Sequence, residues 1–215
     1  SYGVPFANPT GLAWDGQRLW ATDWLTETVY RLDVEERGLK VTREVEIPKS
    51  HLTGMAVANG EVFIADGWKK VIQRRKLDES FTLISEAPSP GASPSGLFCD
   101  GQYLWSCDAA SGRIFQHALD PNLTVVGSFP SPGKALVGLF KDEHYLWSAD
   151  ADSRRIYQHR LDATLSVLAQ YEIPGINEGG EPLSAVAFHD GFWWTARDGK
   201  PILLRLSKRS LRRLP

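Results

Sequence analysis

The sequence has little of what would point directly to a class of protein. Its charges nearly cancel, with 24 Lys and Arg against 26 Asp and Glu, so no basic excess indicates binding to nucleic acid or an anionic membrane. No apolar run approaches the roughly 18 residues of a membrane-spanning helix, and the first residues, SYGVPFANP, do not form a signal peptide. We therefore expect a soluble protein without nucleic-acid or membrane partners, in a compartment that the sequence leaves open.

Cysteine is scarce and helical periodicity is absent. Two cysteines in 215 residues do not make a disulfide framework. Cys99 and Cys107 flank one expected hairpin, but its register separates them by roughly 10 Å, which is too far for a disulfide. We therefore expect two free thiols. Because no stretch repeats its apolar residues at the helical period over three turns, we expect an all-β fold.

One pattern is present five times. Each copy opens on a small residue, here called the anchor, and carries an aromatic residue nine positions later. The anchors are Gly11, Gly54, Gly96, Gly138 and Ala185, at intervals of 43, 42, 42 and 47 residues. The aromatic residues are Trp20, Phe63, Trp105, Trp147 and Trp194, which we expect to be packing residues. A repeat of this length is typical of the blades of a β-propeller.

Each copy is expected to form four short antiparallel strands. Asp-Gly or Asn-Gly pairs such as Asp15-Gly16 separate the first two strands in most copies, and such pairs favour tight hairpin turns. The fourth strand ends in proline, which fits an outer edge where no N–H is needed for pairing. The sequence therefore predicts a single five-bladed β-propeller domain over residues 1–215. The expected blades span about 9–51, 52–93, 94–135, 136–182, and 183–215 plus 1–8.

The two ends of the chain predict how the ring closes. The fifth copy stops at LRLSKRSLRRLP, short of a complete fourth strand, whereas the chain begins with SYGVP, which resembles the ends of the other fourth strands. We expect the N-terminal segment to complete the last blade. We also expect LRRLP and SYGVP to continue one strand, with the termini adjacent.

The stretch PTGLAWDGQRLWATD, followed by VYRLD, resembles the repeat shared by NHL-type propellers, gluconolactonase-like proteins and glutaminyl cyclases. This resemblance covers nearly the whole chain, but it rests on blade-building residues and so implies a fold rather than one activity. It makes a metal-dependent lactonase-like hydrolase or a glutaminyl cyclase-like enzyme the alternative to a binding protein. The plant-type cyclases carry Glu-Ser-Thr after an aromatic residue. The matching positions here lack the glutamate and hold Ala21-Thr22, Ile64-Ala65, Ser106-Cys107 and Ser148-Ala149.

The same resemblance raises the alternative of a metal site. Gluconolactonase-like enzymes bind a divalent cation through Asn, Asp and Glu around the anchors, and calcium prefers such carboxylate and amide oxygens. Most positions before the anchors here carry hydroxyl side chains, which are poorer calcium ligands. We therefore predict no cofactor and no metal site, with a calcium ion as the alternative. The residues that precede the anchors here are Thr10, Thr53, Ser95, Val137 and Ser184.

Charged residues recur twelve positions after each anchor, where the second strand meets its loop. They are Asp23, Asp66, Asp108, Asp150 and, in the last copy, Arg197. One interpretation is a charged ring that binds a polar ligand, or supplies a metal ligand or base. The other is that each aspartate caps its own turn, which repetition in four blades favours. Arg197 breaks the repeat and is therefore the stronger ligand-binding candidate, with Asp198 as its partner or as a displaced cap.

Further candidates lie outside the repeat but on the same predicted face. Trp24 and Trp68 follow two of the aspartates in adjacent blades, and each either offers a flat surface to a ligand or folds over its own blade. The long connection 174–184 carries Glu178 and Glu181, and extended loops on a rigid scaffold often hold function. The sequence thus predicts a monomeric binding propeller that recognises a small polar ligand, sugar or peptide segment near the central channel.

Overall fold

The computed structural model describes residues 1–175 and 180–215, and its strands form five separate antiparallel sheets. The first strand of each sheet contacts the first strand of the next, and the fifth sheet contacts the first. This arrangement is a ring of five blades around a central axis. The prediction of an all-β, five-bladed propeller is confirmed.

The strand bounds follow the repeat closely. The chain begins with β1 (Tyr2–Gly3), and blade 1 follows as β2 (Pro9–Trp14), β3 (Leu19–Asp23), β4 (Thr28–Glu35) and β5 (Gly38–Glu46). Blade 2 contains β6 (Leu52–Ala58), β7 (Glu61–Asp66), β8 (Val71–Lys76) and β9 (Leu83–Pro88). Blade 3 contains β10 (Pro94–Cys99), β11 (Tyr103–Asp108), β12 (Arg113–Ala118) and β13 (Val125–Pro130).

The last two blades share the chain ends. Blade 4 contains β14 (Leu136–Lys141), β15 (Tyr145–Asp150), β16 (Arg155–Arg160) and β17 (Val167–Glu172). Blade 5 contains β18 (Leu183–His189), β19 (Phe192–Arg197) and β20 (Ile202–Ser207). A short 3-10 turn (Lys208–Ser210) and β21 (Arg212–Arg213) follow.

Aspartates in the first hairpin turns hold the aromatic residues of the repeat. The Asp15 carboxylate accepts hydrogen bonds from the backbone N–H of Arg18 at 2.8 Å and from the indole of Trp20 at 2.7 Å. Asp100 and Asp142 bind Trp105 and Trp147 in the same way. All five repeated aromatic residues are buried between blades, as expected for packing residues.

The anchors are the points where neighbouring blades approach most closely. A Cβ on Gly54 would overlap the carbonyl of Ser95, and a Cβ on Gly96 would overlap the backbone of Gly138. The first strands therefore press together at the anchors, and a larger residue there would force blades apart. From this contact the strands run on toward the hairpin turns.

Ring closure is as predicted at one end of the chain and different at the other. Strand β1 pairs with β20, with Tyr2 opposite Leu203, so the N-terminal segment does complete blade 5. The C-terminal residues do not continue that strand, because β21 instead pairs with β17 as a fifth strand of blade 4. The expectation of one joined strand is wrong. Because β1 already occupies the edge beside β20, the tail turns away, and its Leu211 packs against the apolar core of blades 4 and 5.

Blades 3 and 4 each contain a buried Ser–His pair. The Ser106 hydroxyl donates to His117 Nε2 at 2.8 Å, while His117 Nδ1 donates to the carbonyl of Leu123 at 2.8 Å. Ser148 and His159 repeat this arrangement. Burial lowers the pKa of both imidazoles, and because both ring nitrogens already have protein partners, the pairs are structural.

The two cysteines are free, as predicted, and both are buried. Burial raises the pKa of Cys99 to about 11 and that of Cys107 to about 12. Both therefore stay protonated at neutral pH and act as small apolar residues. Within the described ranges, no helix is long and apolar enough to cross a membrane.

Candidate functional site

The face of the propeller where second strands end carries the residues predicted to form a site. Asp23 is buried at the end of β3, and its carboxylate accepts the backbone N–H of Asn8 at 2.7 Å and those of Leu25 and Thr26 at 2.9 Å. It thereby ties the turn that follows β3 to the segment that precedes β2. This geometry matches turn capping.

The other three aspartates are buried in equivalent positions. Asp108 accepts both the N–H and the hydroxyl of Ser111, at 2.8 and 2.7 Å, and Asp150 does the same with Ser153. Asp66 accepts the N–H of Trp68 at 3.1 Å. These contacts favour the capping interpretation for all four, and a direct ligand contact by any of them stays a prediction.

Arg197 lies at the equivalent position of blade 5 and takes part in a small ionic cluster. Its guanidinium is 3.8 Å from Glu181, whose other carboxylate oxygen is 2.8 Å from the Lys200 ammonium. The hydrogen bond from Lys200, aided by the charge of Arg197, holds the pKa of Glu181 below its usual value. The long connection therefore does meet Arg197, through Glu181. Glu178, the other candidate in that connection, lies outside the described residues.

Asp198 makes a contact that the sequence analysis did not predict. Its carboxylate accepts a hydrogen bond from the indole N–H of Trp24 at 3.2 Å, a contact that crosses from blade 5 to blade 1. Trp24 is half-buried and makes an edge-to-face contact with His51, with ring centroids 5.5 Å apart and planes at 85°. The indole is thus fixed from both sides.

The structure joins the two predicted tryptophans through a residue that the sequence analysis missed. His51 stacks on Trp68 with centroids 5.5 Å apart and planes at 24°, and Trp68 is 61% exposed. Trp24, His51 and Trp68 form an aromatic row across blades 1 and 2. His51 stands three positions before its anchor, where the other copies have Asn8, Ser93, Ala135 and Pro182. No residue type repeats at this position, so a comparison of the five copies gives no signal for His51.

The hydroxyls before the anchors connect neighbouring blades. Thr10 donates to the carbonyl of Leu52 in blade 2, and Thr53 donates to the carbonyl of Pro94 in blade 3 at 2.7 Å. In the part of the chain that the structure describes, no three His, Cys, Asp or Glu side chains are grouped so that they could hold a metal ion.

The fold and face together define a five-bladed β-propeller with a mixed aromatic and ionic surface. Structural comparison finds the same fold in a glutaminyl cyclase from Myxococcus xanthus, with 12% identity, 100% of this chain and 95% of that chain covered, and a TM-score of 0.79. A streptogramin B lyase matches with 14% identity, coverage of 98% and 83%, and a TM-score of 0.62. The virginiamycin B lyase from Staphylococcus aureus matches with 18% identity, coverage of 93% and 67%, and a TM-score of 0.58.

No protein-family model and no curated protein matches the sequence. The structural likenesses confirm the propeller fold and support the resemblance to this group of propellers. At such low identity they carry no activity over to this chain, because one fold hosts many unrelated functions.

Proposed function

We propose that the chain is a binding propeller that holds a sugar on the face built by blades 5, 1 and 2. The observation that carries this proposal is the aromatic row, which ends in the exposed ring of Trp68. A flat, exposed indole supplies a large contact area for the apolar face of a sugar ring at a small cost in conformational entropy.

The neighbouring charges suit a neutral polar ligand. Arg197 and Lys200 share Glu181, and Asp198 supports Trp24, so groups of both signs stand at one end of the row. Such paired groups present both donors and acceptors to hydroxyls while cancelling most of their net charge. These side chains are already held in place by one another. Little therefore has to be ordered when a ligand binds, which favours affinity.

Binding is favoured over catalysis by what the carboxylates of this face already do. Asp23, Asp66, Asp108 and Asp150 are engaged by backbone N–H groups, and a general base needs a lone pair within reach of a substrate proton. The positions that hold the cyclase glutamate in the resembling family are occupied by residues such as Ala21 and Ser106, both buried. Among residues 1–175 and 180–215, the enzyme alternative has no comparable constellation in its favour.

The proposal is tested by titrating the protein with a panel of oligosaccharides and short peptides, followed by tryptophan fluorescence and calorimetry. We expect sugar binding to quench fluorescence, and Trp68→Ala and Arg197→Ala to weaken that binding by about tenfold or more. Arg197→Ala should shift the melting temperature little, since partly exposed ion pairs contribute about 1 kcal/mol or less.

The matched control is Val126→Ala, which also removes an exposed apolar side chain but lies on the outer strand of blade 3. It should leave binding unchanged. The proposal is wrong if no sugar binds, or if Trp68→Ala binds as tightly as the parent protein. If Arg197→Ala chiefly unfolds the protein, then Arg197 is a structural replacement for the missing aspartate.

A further inference from the structure

At the hairpin end, opposite the aromatic row, the central channel widens into a cavity of about 190 Å³. The first strands of all five blades line it. Two positions after the anchors, blades 3 and 4 carry Phe98 and Phe140, whereas the other three blades carry alanine. The small alanine side chains of blades 1, 2 and 5 do not fill the centre of the propeller, and this leaves the cavity.

Aromatic side chains contribute to the wall on both sides. Phe140 contacts Phe98 at a centroid distance of 5.6 Å and an interplanar angle of 72°, and it contacts Phe188 at 4.4 Å and 37°. On the other side, Trp14 stacks on His189 with centroids 4.2 Å apart. Rings from four blades therefore surround the cavity at differing inclinations.

The mouth of this cavity is acidic. The five hairpin turns between first and second strands contain one basic residue, Arg18, and five acidic residues: Asp15, Asp100, Asp142, Glu143 and Asp190. Arg18 is paired with Asp33 at 2.9 Å, outside these turns. Lys141 and Lys208 neutralise Asp100 and Asp142, each at 3.1 Å. Among the described residues, the other three carboxylates have no Lys or Arg within ion-pair distance, which leaves an excess of negative charge at the mouth.

We propose that this cavity binds a small organic cation, such as a quaternary ammonium group. A cation that lacks N–H groups loses little hydration on entering an apolar space, and the negative faces of aromatic rings attract it there. The acidic mouth adds a longer-range attraction and disfavours anions. The volume suffices, because an apolar protein cavity of about 150 Å³ already admits benzene.

The test compares choline with 3,3-dimethyl-1-butanol, a neutral molecule of nearly the same shape, by calorimetry and by NMR titration. We expect choline to bind about tenfold more tightly than the alcohol, and this preference to shrink as salt is added. Equal affinities would show an apolar pocket that ignores charge, and no binding of choline at millimolar concentration would show no site. Either result overturns the proposal.

Two variants test the location of the site. Ala56→Leu places extra carbons in the cavity from blade 2 and should abolish choline binding, while Phe140→Leu keeps an apolar wall, removes an aromatic face and should weaken binding about tenfold. If Phe140→Leu proves unstable, the surface double variant Glu143→Gln/Asp190→Asn still tests the charge, and we expect a threefold or greater loss.

The control is Trp68→Ala, on the opposite face. It should leave choline binding intact, so the cavity and the proposed sugar site can fail independently of each other. Choline binding that survives Ala56→Leu would place the ligand elsewhere and contradict the proposal.

Discussion

Blades 3 and 5 are built from the same repeat but differ in how they are completed. Blade 3 is one continuous stretch of chain with an anchor glycine, a capping Asp108 and a buried Ser106–His117 pair. Blade 5 has Ala185, Arg197 and, where His117 would stand, Leu206; it borrows its fourth strand from the other end of the chain.

This difference separates structural residues from candidate functional ones. In blade 5 the hydroxyl of Thr195, equivalent to Ser106, has no hydrogen-bond partner among the described residues, although it is buried. Blade 5 thus lacks the buried pair of blades 3 and 4, while its Arg197 and Asp198 reach toward the connection before β18 and toward blade 1. Residues that repeat build the blades, and residues that depart from the repeat assemble the candidate site.

The largest effect is expected where blade 5 depends on the N-terminal segment. Phe6 is buried and stacks on Tyr30 of blade 1, with ring centroids 4.5 Å apart. Phe6→Ala should lower the free energy of unfolding by about 3–5 kcal/mol, because the substitution leaves a cavity beside β1. Chemical denaturation measures this loss. A change below about 1 kcal/mol would mean that the N-terminal segment contributes little to ring closure.

A smaller effect is expected from removing a cap in the continuous blade. Asp108→Ala leaves the backbone N–H groups of Ser93 and Ser111 without their acceptor and should cost about 2–3 kcal/mol. Asp152→Ala is the matched control, since that aspartate is exposed in the corresponding turn of blade 4, and it should change stability by less than about 0.5 kcal/mol. Equal melting temperatures for both variants would argue against capping and revive a ligand role for the ring.

The smallest effect is a dependence of stability on pH that belongs to blades 3 and 4. The pKa values of His117 and His159 are lowered in the folded protein by burial. Below about pH 6.5 the unfolded chain therefore binds more protons than the folded one, and stability falls as the pH falls. Between pH 7 and 5.5 the loss is at most about 1.3 kcal/mol for each histidine.

Denaturant titrations across this range measure the dependence. Replacing both histidines by leucine, the residue that blade 5 uses, should remove it, whereas replacing the exposed His144 should not. A double variant that keeps the full pH dependence would assign it to other groups.

The sequence was informative wherever a physical requirement repeats. The anchors and the buried aromatic residues recur in every blade, and the turn aspartates in most of them, so their spacing predicted the architecture. The likeness of SYGVP to the ends of the fourth strands predicted the closure by the N-terminal segment. Side-chain contacts between blades do not repeat, and they were predicted poorly. His51 meets Trp24 only because neighbouring blades bring the two rings together, and the cavity depends on which blades carry phenylalanine.

The sequence pattern also could not predict which sheet edge the C-terminal residues join. LRRLP reads as a continuation of an edge strand, but that edge was already taken by residues from the other end of the chain. Competition between two segments for one sheet edge is visible only once both are placed in space.

The positions of β1 and β21 have a practical consequence. Each is the outermost strand of its sheet, and the two sheets are neighbouring blades. A tag or tether fused to either terminus would extend from the circumference of the disc and leave its two flat surfaces accessible. The protein can therefore be immobilised through its ends, and ligands for the opposite faces can be screened on the same sensor surface.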